Sequence, residues 1–375
     1  MTILNEIVAD LDDSIYKIFI GRDIVNEVVE HITEKTGNQN VVIVADHYFQ
    51  NSTVSNFTKQ MTESDFRVFH HLMDAGKINK TIHEALKIYS LMEEYNISRD
   101  STLIAIGGGV IGDMCGFIAS TWLRGMNLVH IPTTLMAMVD SSVGGKTAIN
   151  FRNTINGIGS YYHPIVNGID LDLIDTLSDR DYKSGIAEVI KCGIIADRDL
   201  FNFMKDNANE ILERKEDCVV HMISKALEIK LDHVRGDVRE GGKRLLLNFG
   251  HTLGHSVEVS TAKNGEEYYR HGEGVSIGIS AAMYISERFL KIDSNYSNEI
   301  KEVFDAYDLP TEVNSEKIGI EKDRLLERLE KNVMKDKKRL NDKLRLILAE
   351  NIGKAKVYDN VSFDFVKAAF KHIVK

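Results

Sequence analysis

The chain has 375 residues, of which 43% are hydrophobic and 27% charged, a globular and not a disordered balance. Its formal charge of −10 disfavours a general binder of nucleic acid or anionic membrane, yet leaves room for a basic cleft that takes a small anion. Three prolines exclude Pro-rich linkers and collagen-like arrays, and length alone predicts two or three domains.

Cys115, Cys192 and Cys218 lie far apart with no CxxC spacing. That argues against a disulfide framework and a thiolate zinc site, and it fits a reducing cytoplasm. The opening MTILNEIVADLDD carries acids and no basic stretch, so no secretory signal is expected there. No apolar run approaches the roughly 20 residues of a membrane span.

In chain order, Asn40 to Ala45 (NVVIVA) reads as a strand closed by Asp46. A charged, helix-period stretch follows from Thr81 to Tyr95. Thr102 to Ile106 (TLIAI) and Leu128 to Ile131 (LVHI) are further β-branched runs, the second ended by Pro132. Buried strands separated by helices predict a parallel sheet covered on both faces. From Leu177 the chain turns Glu/Lys-rich with helical spacing, predicting helices over Ile186 to Ile195, Ala208 to Asp237, His251 to Val259 and Gly274 to Leu290. Leu344 to Leu348 reads equally as strand or helix. We therefore divide the chain into an α/β domain, 1–176, and a mostly helical domain, 177–375.

Gly107, Gly109 and Gly112 match GxGxxG between a strand and a helix. Such a turn brings backbone amides and a helix N-terminus to a phosphate, but it serves equally as a tight packed turn. The acid expected about 20 residues on is missing. Asp113 would repel a phosphate and is better suited to a hydroxyl, while Asp46 is the better placed acid for a ribose.

HTLGH puts His251 and His255 on one helical face, with His271 following in HGEG and Glu188 upstream in AEVIK. Two histidines and a carboxylate suit Zn²⁺ or a similar divalent ion. With thirteen histidines, spacing alone leaves a chance pairing equally open. HTLGH lacks the glutamate of a zincin. Arg124, Lys146 (in SSVGGKT), Lys191, Lys230 and Arg244 add cations near these motifs, pointing to a small substrate with phosphate or carboxylate. Each of them alone reads as a surface charge.

The segments GGGVIGDMCGFIAS, RGMNLVHIPTTLMAMVDSSVGGKTAIN, IAEVIKCGII, RLLLNFGHTLGH and HGEGVSIG run in order through residues 107–280. Together they resemble 3-dehydroquinate synthase, within the sugar-phosphate cyclases. The resemblance implies an N-terminal NAD-binding α/β domain with a parallel sheet, a mostly α-helical metal-binding C-terminal domain, and a homodimer with its active site in the interdomain cleft. It implies Glu188, His251 and His271 as ligands of a divalent metal, Zn or Co. NAD would meet Asp46, Gly109, Gly112, Asp113, Thr133, Thr134 and Thr176, with Asp140 and Lys146 between cofactor and substrate. The substrate phosphate would meet Lys146, Asn156, His255 and Lys337 or Lys338, and Arg124 would reach the neighbouring subunit's site. Lys191, Lys230, Arg244 and Asn248 would hold carboxylate and ring hydroxyls.

The implied substrate is 3-deoxy-D-arabino-heptulosonate 7-phosphate. The implied reaction runs through oxidation at C5, phosphate elimination, reduction, ring opening and an intramolecular aldol, a step of the shikimate pathway to aromatic amino acids in the cytoplasm. Two departures stand out. The family's Gly-Lys-Asn reads Thr154, Ile155, Asn156, and its Gly-Glu-x-x-Lys reads Gly76 to Lys80 with Lys77 reversing a charge. Arg152 is one neighbour that could compensate. The alternatives are a cyclase acting on another sugar phosphate, an iron-type NAD-dependent alcohol dehydrogenase, and a catalytically silent homologue.

Overall fold

The computed structural model describes residues 2–37, 39–74, 76–152, 154–263, 266–334, 339–340 and 343–375. The chain forms two compact units. One runs to Ser178 and takes in Val234–Arg239; the other comprises Asp179–His233 and Glu240–Lys375.

The first unit holds β1 (Thr2–Leu11), β2 (Ser14–Arg22), α1 (Val25–Thr36), β3 (Asn40–Asp46), α2 (Ser55–Glu63), β4 (Arg67–Met73), α3 (Ile82–Glu94), β5 (Thr102–Gly107), α4 (Gly109–Thr121), β6 (Asn127–Pro132), β7 (Lys146–Phe151), β8 (Thr154–Tyr161) and β9 (Val166–Asp170). Its main sheet has the order β1-β2-β9-β6-β5-β3-β4. Every neighbouring pair is parallel except β1 and β2. The predicted parallel sheet is thus present with an antiparallel edge hairpin. Its outer strand, β1, largely alternates half-buried and exposed residues, a weaker signal than an apolar run. In β3, Val41 to Ala45 are all fully buried, as strands covered on both faces require. One face packs Val42, Val44 and Leu103 against Ile88 of α3 and Met114 and Ile118 of α4. Thr81 caps α3 by accepting from Glu84 N at 3.3 Å. Arg235 donates from Nε to Asp10 O at 3.0 Å, tying the returning segment to the β1–β2 turn.

The second unit holds α5 (Asp179–Ala196), α6 (Arg198–Asp206), α7 (Ala208–Leu212), α8 (Glu216–Val234), α9 (His251–Thr261), α10 (His271–Phe289), α11 (Asn295–Ala306), α12 (Ser315–Ile318), α13 (Lys322–Val333), β10 (Arg339–Leu340), β11 (Lys343–Asn351), β12 (Lys354–Ser362) and α14 (Phe363–Ile373). The undecided run Leu344 to Leu348 is therefore strand, paired antiparallel with β12. The single helix expected over Ala208 to Asp237 is two. Arg214 takes φ +58°, and Lys215 N closes back on Glu210 O at 2.9 Å, a left-handed helix end built without glycine. No helix among the described residues is long and apolar enough to cross a membrane.

α9 and α10 meet almost backbone to backbone. A Cβ on Gly254 would fall 2.5 Å from Gly274 O, and one on Gly278 would fall 2.1 Å from Gly250 O. Only glycine permits this approach, and it sets the histidines of the two helices side by side.

Candidate active site

In the first unit, β3, β5, β6 and β9 run parallel, so their carboxyl ends share one edge of the sheet. Nucleotide ligands of open α/β sheets bind along such an edge. Asp46 ends β3 and spends one oxygen capping the next turn, accepting from Tyr48 N at 3.0 Å. The glycine turn follows β5 and opens α4, and Thr133 N donates back to Gly107 O at 3.0 Å. A Cβ on Gly109 would sit 2.8 Å from Ser141 Oγ, and one on Gly112 would sit 3.5 Å from the His130 ring, which lies buried beneath. Thr134 accepts from Ala137 N at 3.2 Å, at the start of the turn that carries Asp140. Thr176 follows β9, exposed, its hydroxyl given to Leu173 O at 2.6 Å.

Asp113 has a partner that sequence reasoning did not assign. Lys80, 6% exposed, donates to Asp113 Oδ2 at 2.5 Å and to Asn156 Oδ1 at 2.6 Å. The anion that looked unsuited to a phosphate cradle is neutralised. The same ammonium links the glycine turn to the β7–β8 hairpin. Ile155 is exposed, and the guanidinium of Arg152 lies 5.4 Å over the Phe151 ring, so Lys80 is the cation that reaches Asn156. The signal in the sequence was the Gly76 to Lys80 segment, read only for its departure at Lys77.

Lys146 opens β7, exposed, directly after Gly145. Gly145 has φ +69°, and a Cβ there would lie 2.8 Å from the buried His163 ring. Tyr162 N donates to Gly145 O at 2.7 Å. The lysine is thus projected from a turn that only glycine can make over that ring. Arg124 is exposed, in a short turn at φ +68°.

In the second unit, α5 supplies Glu188, α9 supplies His251 and His255, and α10 begins with His271. The candidate ligand atoms of Glu188, His251 and His271 all lie within 4.8 Å of one another. His251 Nε2 is 3.5 Å and His271 Nε2 is 3.6 Å from Glu188 Oε1. Both rings have Nδ1 engaged, His251 with Phe249 O at 3.2 Å and His271 with Glu258 Oε1 at 3.0 Å. Glu188 is 1% exposed, and its Oε1 has no hydrogen-bond partner. A buried carboxylate oxygen left unsatisfied is costly, and here it faces two imidazole nitrogens. This donor set of two nitrogens and one oxygen fits a divalent ion such as Zn²⁺, with a coordination position left open.

The electrostatics differ between the two histidines, and an ion bound here would displace the proton of His271. Burial alone would raise the Glu188 carboxyl, but Lys191, His251 and His271 hold it well below the usual carboxylate range. Burial pushes His251 down to about 3 against the pull of Glu188, keeping the ring neutral as a ligand must be. His271 is also disfavoured as a cation by burial, yet Glu188 and Glu258 outweigh that and raise it to about 10.

His255 is exposed, its ring 5.4 Å from that of His251 and 5.5 Å from that of His271. Lys191 is buried, its ammonium bonded to Glu188 Oε2 one turn away. Lys230 and Arg244 are buried at 5% and 2% exposure, rare for such side chains unless paired. Asn248 stands two residues before the Gly250 turn and donates to Glu240. Lys337 and Lys338 lie outside the described residues. Glu258 was missed by sequence reasoning, although its place three residues after His255 puts it on the ligand face of α9.

Residues 70–184 match the 3-dehydroquinate synthase N-terminal family and residues 185–339 the 3-dehydroquinate synthase C-terminal family. The 3-dehydroquinate synthase of Thermoanaerobacter sp. is 36% identical over 351 residues, 94% of this chain and 96% of that protein. A 2-deoxy-scyllo-inosose synthase, solved with carbaglucose-6-phosphate, NAD⁺ and Co²⁺, shares the fold at TM-score 0.87 and 22% identity, over 98% of this chain and 100% of that one. ValA, the 2-epi-5-epi-valiolone synthase of Streptomyces hygroscopicus with NAD⁺ and Zn²⁺ bound, does so at TM-score 0.83 and 22% identity, over 97% and 98%. The chain belongs to the 3-dehydroquinate synthase family.

Proposed function

We propose that the chain converts 3-deoxy-D-arabino-heptulosonate 7-phosphate to 3-dehydroquinate and phosphate, as a cyclising phosphorus-oxygen lyase. The observation that carries the reading is the buried, unpartnered Oε1 of Glu188 facing the Nε2 atoms of His251 and His271, in a chain matched along nearly its whole length by 3-dehydroquinate synthases. When bound, NAD⁺ would accept and return a hydride and a divalent ion, Zn²⁺ or Co²⁺, would polarise a substrate oxygen.

The chain's own residues prepare for this. Glu188, His251 and His271 would hold the ion. Lys80 cancels the charge of Asp113, so that the glycine turn can accept a phosphate-bearing cofactor alongside Asp46, Thr133, Thr134, Asp140 and Thr176. Lys146, Asn156 and His255 would bind the substrate phosphate. Arg244 and Asn248, with Lys191 and Lys230, would hold the carboxylate and ring hydroxyls. In this reading the enzyme is a cytoplasmic homodimer of the shikimate pathway, with Arg124 reaching the neighbouring subunit's site.

The test is direct. With the heptulosonate phosphate, NAD⁺ and Zn²⁺ or Co²⁺, the protein should release inorganic phosphate and form dehydroquinate with no net NADH. Phosphate release from a carboxylate-free sugar phosphate but not from this substrate would overturn the substrate assignment. Net NADH from a simple polyol would favour an alcohol dehydrogenase.

A further inference from the structure

His251 and His271 hold their rings by different means. Phe249 O, a neutral backbone carbonyl, holds His251 Nδ1 at 3.2 Å. Glu258, a carboxylate on the same helix as His251, holds His271 Nδ1 at 3.0 Å. Glu258 is 8% exposed. Its carboxylate lies in a slot that α10 leaves open: a Cβ on Gly274 would fall 2.7 Å from Glu258 Cγ and 2.9 Å from its Oε1.

A neutral imidazole that donates from Nδ1 carries its lone pair on Nε2, the form His271 takes once a metal ion displaces its second proton. In His271 that atom is turned toward Glu188 Oε1 at 3.6 Å. A carboxylate behind a ligating histidine also makes the ring a stronger donor to a metal than a carbonyl does. We infer that Glu258 is a positioning residue that fixes the tautomer and direction of His271 for a divalent ion, without ligating it. The inference rests on the proposed metal site of Glu188, His251 and His271. The competing role is that of a direct ligand, because His255, Glu258 and His271 also bring their ligand atoms within 4.8 Å of one another.

The experiment measures metal binding by the full-length chain, stripped of metal and titrated with Zn²⁺ and Co²⁺ against a competing chelator. Glu258→Gln keeps the volume and an acceptor oxygen while removing the charge, and Glu258→Ala removes both. His251→Ala supplies the behaviour of a lost ligand. Both Glu258 variants should still bind one ion, about 10- to 100-fold more weakly, with Glu258→Ala the weaker. The Co²⁺ absorption spectrum should keep its wild-type shape in Glu258→Gln. Unchanged affinity in Glu258→Gln and Glu258→Ala would overturn the inference. So would a loss as complete as that of His251→Ala together with a changed Co²⁺ spectrum, which would make Glu258 a ligand. If Glu258→Ala does not fold, as judged by circular dichroism without metal, Glu258→Gln decides alone. Unchanged binding in His251→Ala would instead remove the metal site itself.

Discussion

Lys80 shows how one buried cation can make a site compatible with its ligand. Asp113 stands one residue past the last glycine of the turn, and alone it would oppose any phosphate there. With the Lys80 ammonium 2.5 Å away, the pair is close to neutral. Lys80→Met would leave that carboxylate without its counter-charge in a place only 19% open to solvent. The expected cost is about 2–4 kcal/mol of stability, read by urea unfolding, with NAD⁺ binding weakened as well. The double variant Lys80→Met, Asp113→Asn should recover much of the loss. Additive effects in the double variant would show that the two residues act independently. Neither Lys80 nor Glu258 was assigned a role from sequence, whereas Glu188, His251 and His271 were brought forward together. The difference is physical. A ligand must be one of a few residue types at a helical spacing, so its pattern is local. The partner that neutralises or orients it is fixed by where two separate elements touch, and no spacing along the chain records that.

Among the elements, α9 and α10 bring the proposed metal ligands together through their closeness. The four glycines Gly250, Gly254, Gly274 and Gly278 remove side chains from the seam, and the rings of His251 and His271 come to 5.3 Å between centroids. Gly254→Ala would place a methyl group 2.5 Å from Gly274 O, a backbone atom with no freedom to yield. The helices must part, at a cost of about 1–3 kcal/mol from overpacking. Metal affinity and stability should fall together in this variant. Chelator competition and urea unfolding on the same samples check both, and a Gly254→Ala protein with normal metal affinity would remove the seam from the account. These helices were legible because their apolar spacing is regular and their histidines sit at helical intervals. The break between α7 and α8 was not, because a helix end formed by Arg214 carries neither of the usual stop residues, Gly or Pro.

On the scale of the whole molecule, stability against pH sums the groups whose protonation differs between folded and unfolded chains. Two buried carboxyls pull in opposite directions. Glu188 is held low by its cations in the metal-free chain, so its contribution is present above the usual carboxylate range and is lost in acid. Asp170, at the end of β9, is 8% exposed, and burial raises its carboxyl from 3.8 to about 6, against the pull of the backbone N–H donors of Asp172 and Asp23. The sign for Asp170 is the reverse of the usual one. Between about pH 4 and 6 the folded chain keeps this proton while the unfolded chain has lost it, so this group's contribution falls as pH rises through that window. The loss is about 3 kcal/mol at pH 7, from a shift of about two units at 1.36 kcal/mol each. Glu350, lowered to about 2 chiefly by Lys354 and Lys356, is a surface group and adds little. Asp170→Asn keeps an oxygen for the amides of Asp23 and Asp172, which now meet Oδ1 at 3.3 and 3.0 Å. It removes the buried charge. The variant should therefore be more stable than wild type at pH 7, by up to about 3 kcal/mol, and the difference should shrink to nothing or reverse near pH 4. Urea unfolding of both chains in metal-free buffer across that range isolates the Asp170 contribution, since Glu188 contributes alike to both. A difference that does not change between pH 4 and 7 would show that the Asp170 carboxyl is ionised in the fold, with its backbone donors outweighing its burial.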